Sequence, residues 1–288
     1  MEDKFINSLF KSYRRASKEI TNFPDQESKH WKKYNSVHRD NYYDKNLTDL
    51  SYLENFRFDR TLSYGMDDAV DIKWIPNTFF ELLNEVDEET VFSNLSEKNV
   101  GKCNQTISFQ NKYIEYTELF NIHEFSELNK YIFCKDQVSS ICEIGGGFGS
   151  LARVIKNNID ATYIIIDLPE ANLMSAYYLY EHFKADDKKF LLYSEIKDNK
   201  ISDEHINSYD FIIIPPWVIF EDSIRIDLFI NTRSMMEMNM KAIKDYFELI
   251  QTHTKENGYF LNMNRYHKST VGESIDLINY PYDHKWEV

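Results

Sequence analysis

Apolar residues are spaced in two different ways along this chain, and the change comes near Val138. Downstream, apolar runs of strand length alternate with helical segments: "SICEIG", "TYIIID", "KKFLLYS", "DFIIIPPW", "IDLFIN" and "GYFLNMN". "SLARVIKNNI" separates the first two, "EANLMSAYYLYEHF" follows the second, and "MMEMNMKAIKDYFELIQTH" follows "IDLFIN". Strands apolar on both faces, joined by helices long enough for crossovers, predict a mostly parallel sheet covered on each side. That is the doubly wound, Rossmann-like α/β class. Upstream, "SFQNKYIEYTELFNIHEFSELNKYIF" (108–133) repeats Tyr113, Tyr116, Phe120, Ile122, Phe125 and Leu128 at threes and fours. This spacing predicts one or two amphipathic helices packed on a neighbouring domain. "DDAVDIKWIPNTFFELLNEV" predicts a loop closed by Pro76 and a short helix capped by Asn77 or Thr78. The chain therefore divides into a mainly helical region, 1–135, and a Rossmann-like domain, 136–288.

The junction after the first strand, "ICEIGGGFGSLARVI", carries four glycines in five positions. In a doubly wound sheet, ligands sit at the carboxyl ends of the strands, and glycine lets the backbone approach them. No Lys-Ser/Thr pair follows, so the loop is not a P-loop. The dinucleotide pattern G-x-G-x-x-G fits only from Gly147 through Gly149 to Ala152, which weakens a nicotinamide cofactor without removing it. Acidic-x-Gly-x-Gly-x-Gly fits without strain: Glu143, Gly145, Gly147 and Gly149. It resembles the S-adenosylmethionine (SAM) site of class I methyltransferases. The resemblance implies a loop around the methionine end of SAM, with Glu143 facing its ammonium group. It also implies an acid closing the second strand, on the ribose hydroxyls, and Asp167 stands there.

Further stretches narrow the likeness. "YIIIDLPEANLMSAYYL", "IDLFINTRSMMEMNMKAIKDYF" and "GYFLNMNRY" resemble the sugar O-methyltransferase family of bacteria, with Asp-Leu-Pro-Glu after the second strand and an Asn-x-x-Ser segment leading to Glu-Met after a later one. The resemblance runs roughly from Val100 to Asn264, with "NVGKC" matching a Val-Gly element. It implies SAM-dependent methylation of a sugar hydroxyl, on a nucleotide-linked sugar or in polysaccharide biosynthesis. The helical region is then a lid, an acceptor-binding part or an oligomerisation part. The chain departs from the family after "YDHKWEV", leaving short terminal strands or a trimmed sheet edge. A non-catalytic SAM- or glycan-binding homologue, and a NAD(P)-binding oxidoreductase, stay open as alternatives.

Two strand registers compete. In the preferred one "FIIIPPWVI" is strand three, "KKFLLYSEI" an inserted or edge piece, and Pro216 and Trp217 lie near the adenine or fill a corner. In the other, "FIIIPPW" is strand four and Pro215-Pro216-Trp217 echoes the Pro-Pro-aromatic motif of amino-methylating enzymes. Ile214, however, stands where that motif needs a polar residue. A sugar hydroxyl is a poor nucleophile, so a base or a metal should help remove its proton. Glu237 is a candidate base, or a carboxylate suiting the first turn of the following helix. His267 is the other candidate base, or a loop histidine. Asn231 and Asn264 orient an acceptor hydroxyl or satisfy loop backbone. Glu221 and Asp222 lack a third acid for magnesium, so no metal is expected. Trp31, Tyr34, Tyr42, Tyr43 and Trp74 could build a sugar platform or simply pack.

Composition adds exclusions. A net charge of −14 makes a nucleic-acid backbone an improbable partner. Cys103, Cys134 and Cys142 have no CxxC spacing and read as reduced, largely buried thiols. With no secretory leader pattern and no apolar run of membrane-spanning length, the chain is expected to be cytoplasmic. A small-molecule acceptor is its expected partner, with homo-oligomerisation left open.

Overall fold

The computed structural model describes residues 2–39, 50–58, 71–268 and 273–287, so Tyr42 and Tyr43 lie outside the described residues. Helix α1 (Glu2–Glu19) is followed by α2 (Lys29–His38), whose cap Ser28 accepts from the Trp31 N–H. Helix α3 (Ile75–Glu85) starts before the expected Asn77 or Thr78 cap. Pro76 falls within its first turn, where a missing N–H costs no hydrogen bond. Residues 106–115 also depart from expectation. They form a hairpin, β1 (Thr106–Phe109) against β2 (Lys112–Glu115), turned at Gln110 and Asn111 with φ of 48° and 63°. Two left-handed residues between antiparallel strands match a hairpin turn, and that local chemistry overrides the helical spacing. From Tyr116 the spacing holds: α4 (Tyr116–Leu128) is continued by a π-helical turn, Asn129–Phe133.

The main sheet has six strands: β3 (Ser140–Ile144), β4 (Thr162–Ile166), β5 (Phe190–Leu192), β6 (Phe211–Ile214), β7 (Ile226–Thr232) and β8 (Thr254–Met263). Their spatial order is β8-β7-β3-β4-β6-β5, every pairing parallel. This is the Rossmann-like doubly wound α/β fold, in the first of the two registers: "FIII" pairs with β4 and "FLL" lies outside it at the edge. Crossovers use α5 (Ser150–Lys156), α6 (Pro169–Phe183) and α7 (Met240–His253). From β3 the chain builds outward through β4, then returns to place β7 on the other side. The switch point therefore opens between the carboxyl ends of β3 and β7.

Alternate strand residues face two apolar layers. Ile141, Tyr163, Ile165 and Leu228 join one, while Cys142, Ile144, Ile164 and Phe229 join the other with Ile243, Phe247 and Ile250 of α7. The first layer runs without a break from Leu9 and Tyr13 of α1 through Leu119 and Ile122 of α4 to Ile230. The N-terminal helices thus complete the core of the sheet, and the apolar core does not divide at residue 135. Cys103 and Cys142 are buried, but Cys134 is exposed, contrary to the expectation for all three. Among the described residues no helix is long and apolar enough to cross a membrane.

Candidate cofactor and acceptor site

A cavity of about 710 Å³ opens at the switch point, lined by the glycine loop, the ends of β4, β7 and β8, and residues of α2 and α4. Gly145, Gly147 and Gly149 have φ of 74°, 56° and 87°, a region that side chains rarely adopt. Gly145 has a second reason to be glycine. A Cβ there would lie 2.0 Å from the Ser234 Oγ, because the loop after β7 crosses directly over it.

Three of the acids singled out in the sequence face this space. Glu143 is 2% exposed and accepts from the Tyr163 hydroxyl at 2.9 Å. Burial pushes its carboxyl up to about 8, against the pull of that bond. Asp167 accepts from the Gly147 N–H at 2.8 Å and the Leu168 N–H at 2.7 Å, one on each oxygen. Burial raises it to about 7, while those two backbone bonds hold it down. Glu237 also lines the cavity, and burial raises it too, against Lys268, the Trp31 indole and Arg265.

Glu237 ends a short 3-10 turn, Met235–Glu237, ahead of α7. Asn239 caps α7, accepting from the Ala242 N–H at 2.8 Å, so the helix-start role considered for Glu237 belongs to Asn239. Asn231 is fully buried. Its amide donates to the Ile144 carbonyl at 2.7 Å and the Ser234 Oγ at 2.5 Å, and its oxygen accepts from Asn264 at 2.7 Å. Asn264 lines the cavity, yet its oxygen accepts from the Met236 N–H at 3.0 Å. Both amides shape the loops, the second of the two roles read from the sequence, and Asn264 does so from the cavity wall.

His267 stands away from the cavity lining, exposed in a two-residue strand pair with Asp276. Pro216 and Trp217 are also outside the lining. Trp217 stacks on Phe23 at 5.0 Å, and its indole donates to the Tyr193 hydroxyl at 2.9 Å. Strand β6 delivers it to the underside of α1's connection, so it fills a corner. Of the aromatic candidates, Trp31 and Tyr34 line the cavity, while Trp74 is a surface residue. Among the described residues, no group of three His, Cys, Asp or Glu side chains is placed to hold a metal ion.

The charged lining residues Glu124 and Arg233 are absent from the sequence candidates. Glu124 of α4 is 2% exposed and raised to about 7 by burial; its closest cation is Arg233, at 3.9 Å. Glu124 lies within a helix, and Arg233 follows the end of β7 without belonging to the glycine or acid pattern, so no motif pointed to them. Behind the cavity, Glu170 is wholly buried. It accepts from Arg39 at 2.6 Å and 3.2 Å, and Arg39 also reaches Glu27 at 3.0 Å. The Glu of the Asp-Leu-Pro-Glu stretch therefore ties down the C-terminal end of α2, the helix that walls the site.

No protein-family profile and no curated protein matches the chain. Among solved structures it is similar to coclaurine N-methyltransferase bound to N-methylheliamine and SAH, at 12% identity and a TM-score of 0.31, over 65% of this chain and 48% of that one. It is also similar to mitomycin 7-O-methyltransferase, at 15% identity and 0.28, over 67% and 50%. A protein of Nostoc punctiforme PCC 73102 described as an O-methyltransferase gives 11% identity and 0.31, over 66% and 49%. The chain spans about half the length of these proteins. At such scores the fold assignment rests on the sheet order itself.

Proposed function

We propose that the chain is a SAM-dependent O-methyltransferase acting on a hydroxyl of a sugar, nucleotide-linked or within a surface polysaccharide. One observation carries this: Glu143, the left-handed Gly145 and Gly147, and Asp167 line a single cavity at the switch point. A wall with Glu124, Glu143 and Asp167 would repel a pyrophosphate, but it suits a ligand bearing an ammonium, a sulfonium and ribose hydroxyls. Each Asp167 oxygen accepts one backbone N–H and keeps a second acceptor position, which leaves it free to hold ribose. The residues fit SAM on these grounds, and SAM when bound would supply an electrophilic methyl group.

The protein's part is to align the acceptor and take its proton. Glu237 is the proposed base, since burial makes it a stronger base than an exposed glutamate. Trp31 and Tyr34 on α2 offer ring faces for pyranose C–H bonds. The helical region on this account is the acceptor-binding wall. The test is calorimetric titration with S-adenosylhomocysteine, with NADH as control. Saturable binding lost in Asp167→Ala supports the proposal; binding of NADH alone by folded protein would sink it. Sugar nucleotides with labelled SAM then test Glu237→Gln, which should lower turnover by about 10²-fold or more.

A further inference from the structure

Glu237 has cations for neighbours, and one of them is unsatisfied. Lys268 is 3% exposed, and its Nζ is buried without a hydrogen-bond partner. It belongs to the two-residue strand His267–Lys268, paired antiparallel with Ile275–Asp276. Alternation along that strand turns His267 outward, onto Asp276, and Lys268 inward. The ammonium is close enough to Glu237 to oppose the rise that burial causes there, and close enough to His30 to add to the fall that burial causes there. Glu237 and His30 both line the cavity, so this charge stands behind its wall. The other acid that Lys268 feels, Glu273, is engaged elsewhere: its carboxylate accepts from the Met240 N–H at 3.0 Å. Arg265 is exposed in the cavity lining, and its charge also reaches Glu237. Both cations come from the chain after β8, apart from the glycine loop and its acids.

An ammonium buried without a partner is costly, and an apolar side chain in its place would remove that cost. Folding therefore gives no reason for a lysine at position 268. A neutral sugar gives none either, since ring faces and neutral donors suffice for its hydroxyls. An anion does. We propose that Arg265 and Lys268 form a subsite for an anionic group on the acceptor, a phosphate or a carboxylate. With two cations to one acid, the cluster keeps a positive balance even when Glu237 is ionised. The planar guanidinium of Arg265 offers parallel donors to an oxyanion. Lys268 acts from behind the wall, where a low dielectric lets its charge reach the anion without contact. Holding the anion on the cations leaves Glu237 to the hydroxyl that it deprotonates. Assigning the anion to the acceptor rests on the methyltransferase reading and deepens it: the substrate is an acidic or phosphorylated sugar. The diphosphate of a nucleotide-linked sugar and the carboxylate of a uronic acid are two sources of the same chemistry.

The test is calorimetric titration of the full chain, with and without saturating S-adenosylhomocysteine, using inorganic pyrophosphate, glucuronate and glucose as probes. At least one anion should bind more tightly than glucose. Pyrophosphate would point to a nucleotide-linked sugar, glucuronate to a uronic acid. Affinity for that anion should fall about 10-fold or more in Arg265→Gln and about 5-fold in Lys268→Met. Lys268→Met should unfold at a urea concentration no lower than the wild type, since it removes a buried charge. A lower midpoint, an anion affinity unchanged in both variants, or neither anion bound above glucose would each overturn the subsite. Anion binding that depends on Arg265 and Lys268, in folded protein that does not bind S-adenosylhomocysteine, would instead overturn the methyltransferase reading and leave the subsite in place.

Discussion

At the residue scale, the site is most sensitive where backbone meets backbone. Gly145→Ala combines a left-handed φ with a Cβ 2.0 Å from the Ser234 Oγ and 2.3 Å from its Cβ. The loop after β7 would have to move, and with it Ser234, which donates to the Ile144 carbonyl at 2.9 Å. A loss of about 2 kcal/mol is expected in urea denaturation, with weaker S-adenosylhomocysteine binding. Adding Ser234→Gly clears the clash but leaves the φ, so the double variant should recover part of the stability. No recovery would show that backbone conformation alone sets the cost. His267→Ala should leave turnover within about twofold, as expected of an exposed residue outside the cavity; a large loss would return it to the catalytic set. Glu143 and Asp167 were legible because a strand end and a glycine spacing fix where they point. Glu124 was not, since a glutamate on a helix reads as a solvated face until the helix is known to be buried.

At the element scale, helix α2 is a wall of the cavity. Its residues Trp31 and Tyr34 face the site, and the Arg39–Glu170 bond anchors its end to the start of α6. Arg39→Ala leaves Glu170 without its cation in a fully buried position, at a cost on the order of 3 kcal/mol. Limited proteolysis should then cut within the α2 region faster than in the wild type, and KM for the acceptor should rise. Digestion at the wild-type rate would mean that α2 is held by its packing instead. The strands of the sheet were legible from their apolar runs, since burial on both faces leaves nothing polar to confuse the period. The N-terminal elements were less so. Hairpin β1–β2 imitates helical spacing over a few residues, and only the Gln110–Asn111 pair betrays it. Helix α4 buries Glu118, Asn121 and Glu124 along with its apolar residues, so its spacing slips where the polar groups face inward.

At the scale of the whole molecule, the core is continuous from α1 to β7, and the cavity places several carboxyls next to it. Their titration should therefore register in global stability. Burial raises Glu143 to about 8 and Glu124 and Asp167 to about 7, from ordinary values of 4.5, 4.5 and 3.8. The folded protein then holds protons that the unfolded chain has released. Stability is present in full below the ordinary values near 4, falls as the pH climbs from there through the raised values, and levels off above them. His182 has the opposite sign, because burial lowers it and the unfolded chain binds the extra proton, but that contribution is complete by about pH 6.5. Between about pH 6.5 and 8.5 the carboxyls decide, and ligand-free protein should lose on the order of 2 kcal/mol across that window. Urea denaturation at the two pH values measures it. Glu143→Gln, which keeps an oxygen for the Tyr163 hydroxyl but has no proton to release, should flatten the slope. Saturating S-adenosylhomocysteine should flatten it as well, since a bound ammonium offsets the cost of ionising the carboxylates. A slope that persists unchanged in both would mean the loss comes from groups outside the cavity, and the acid wall would no longer be the seat of cation binding.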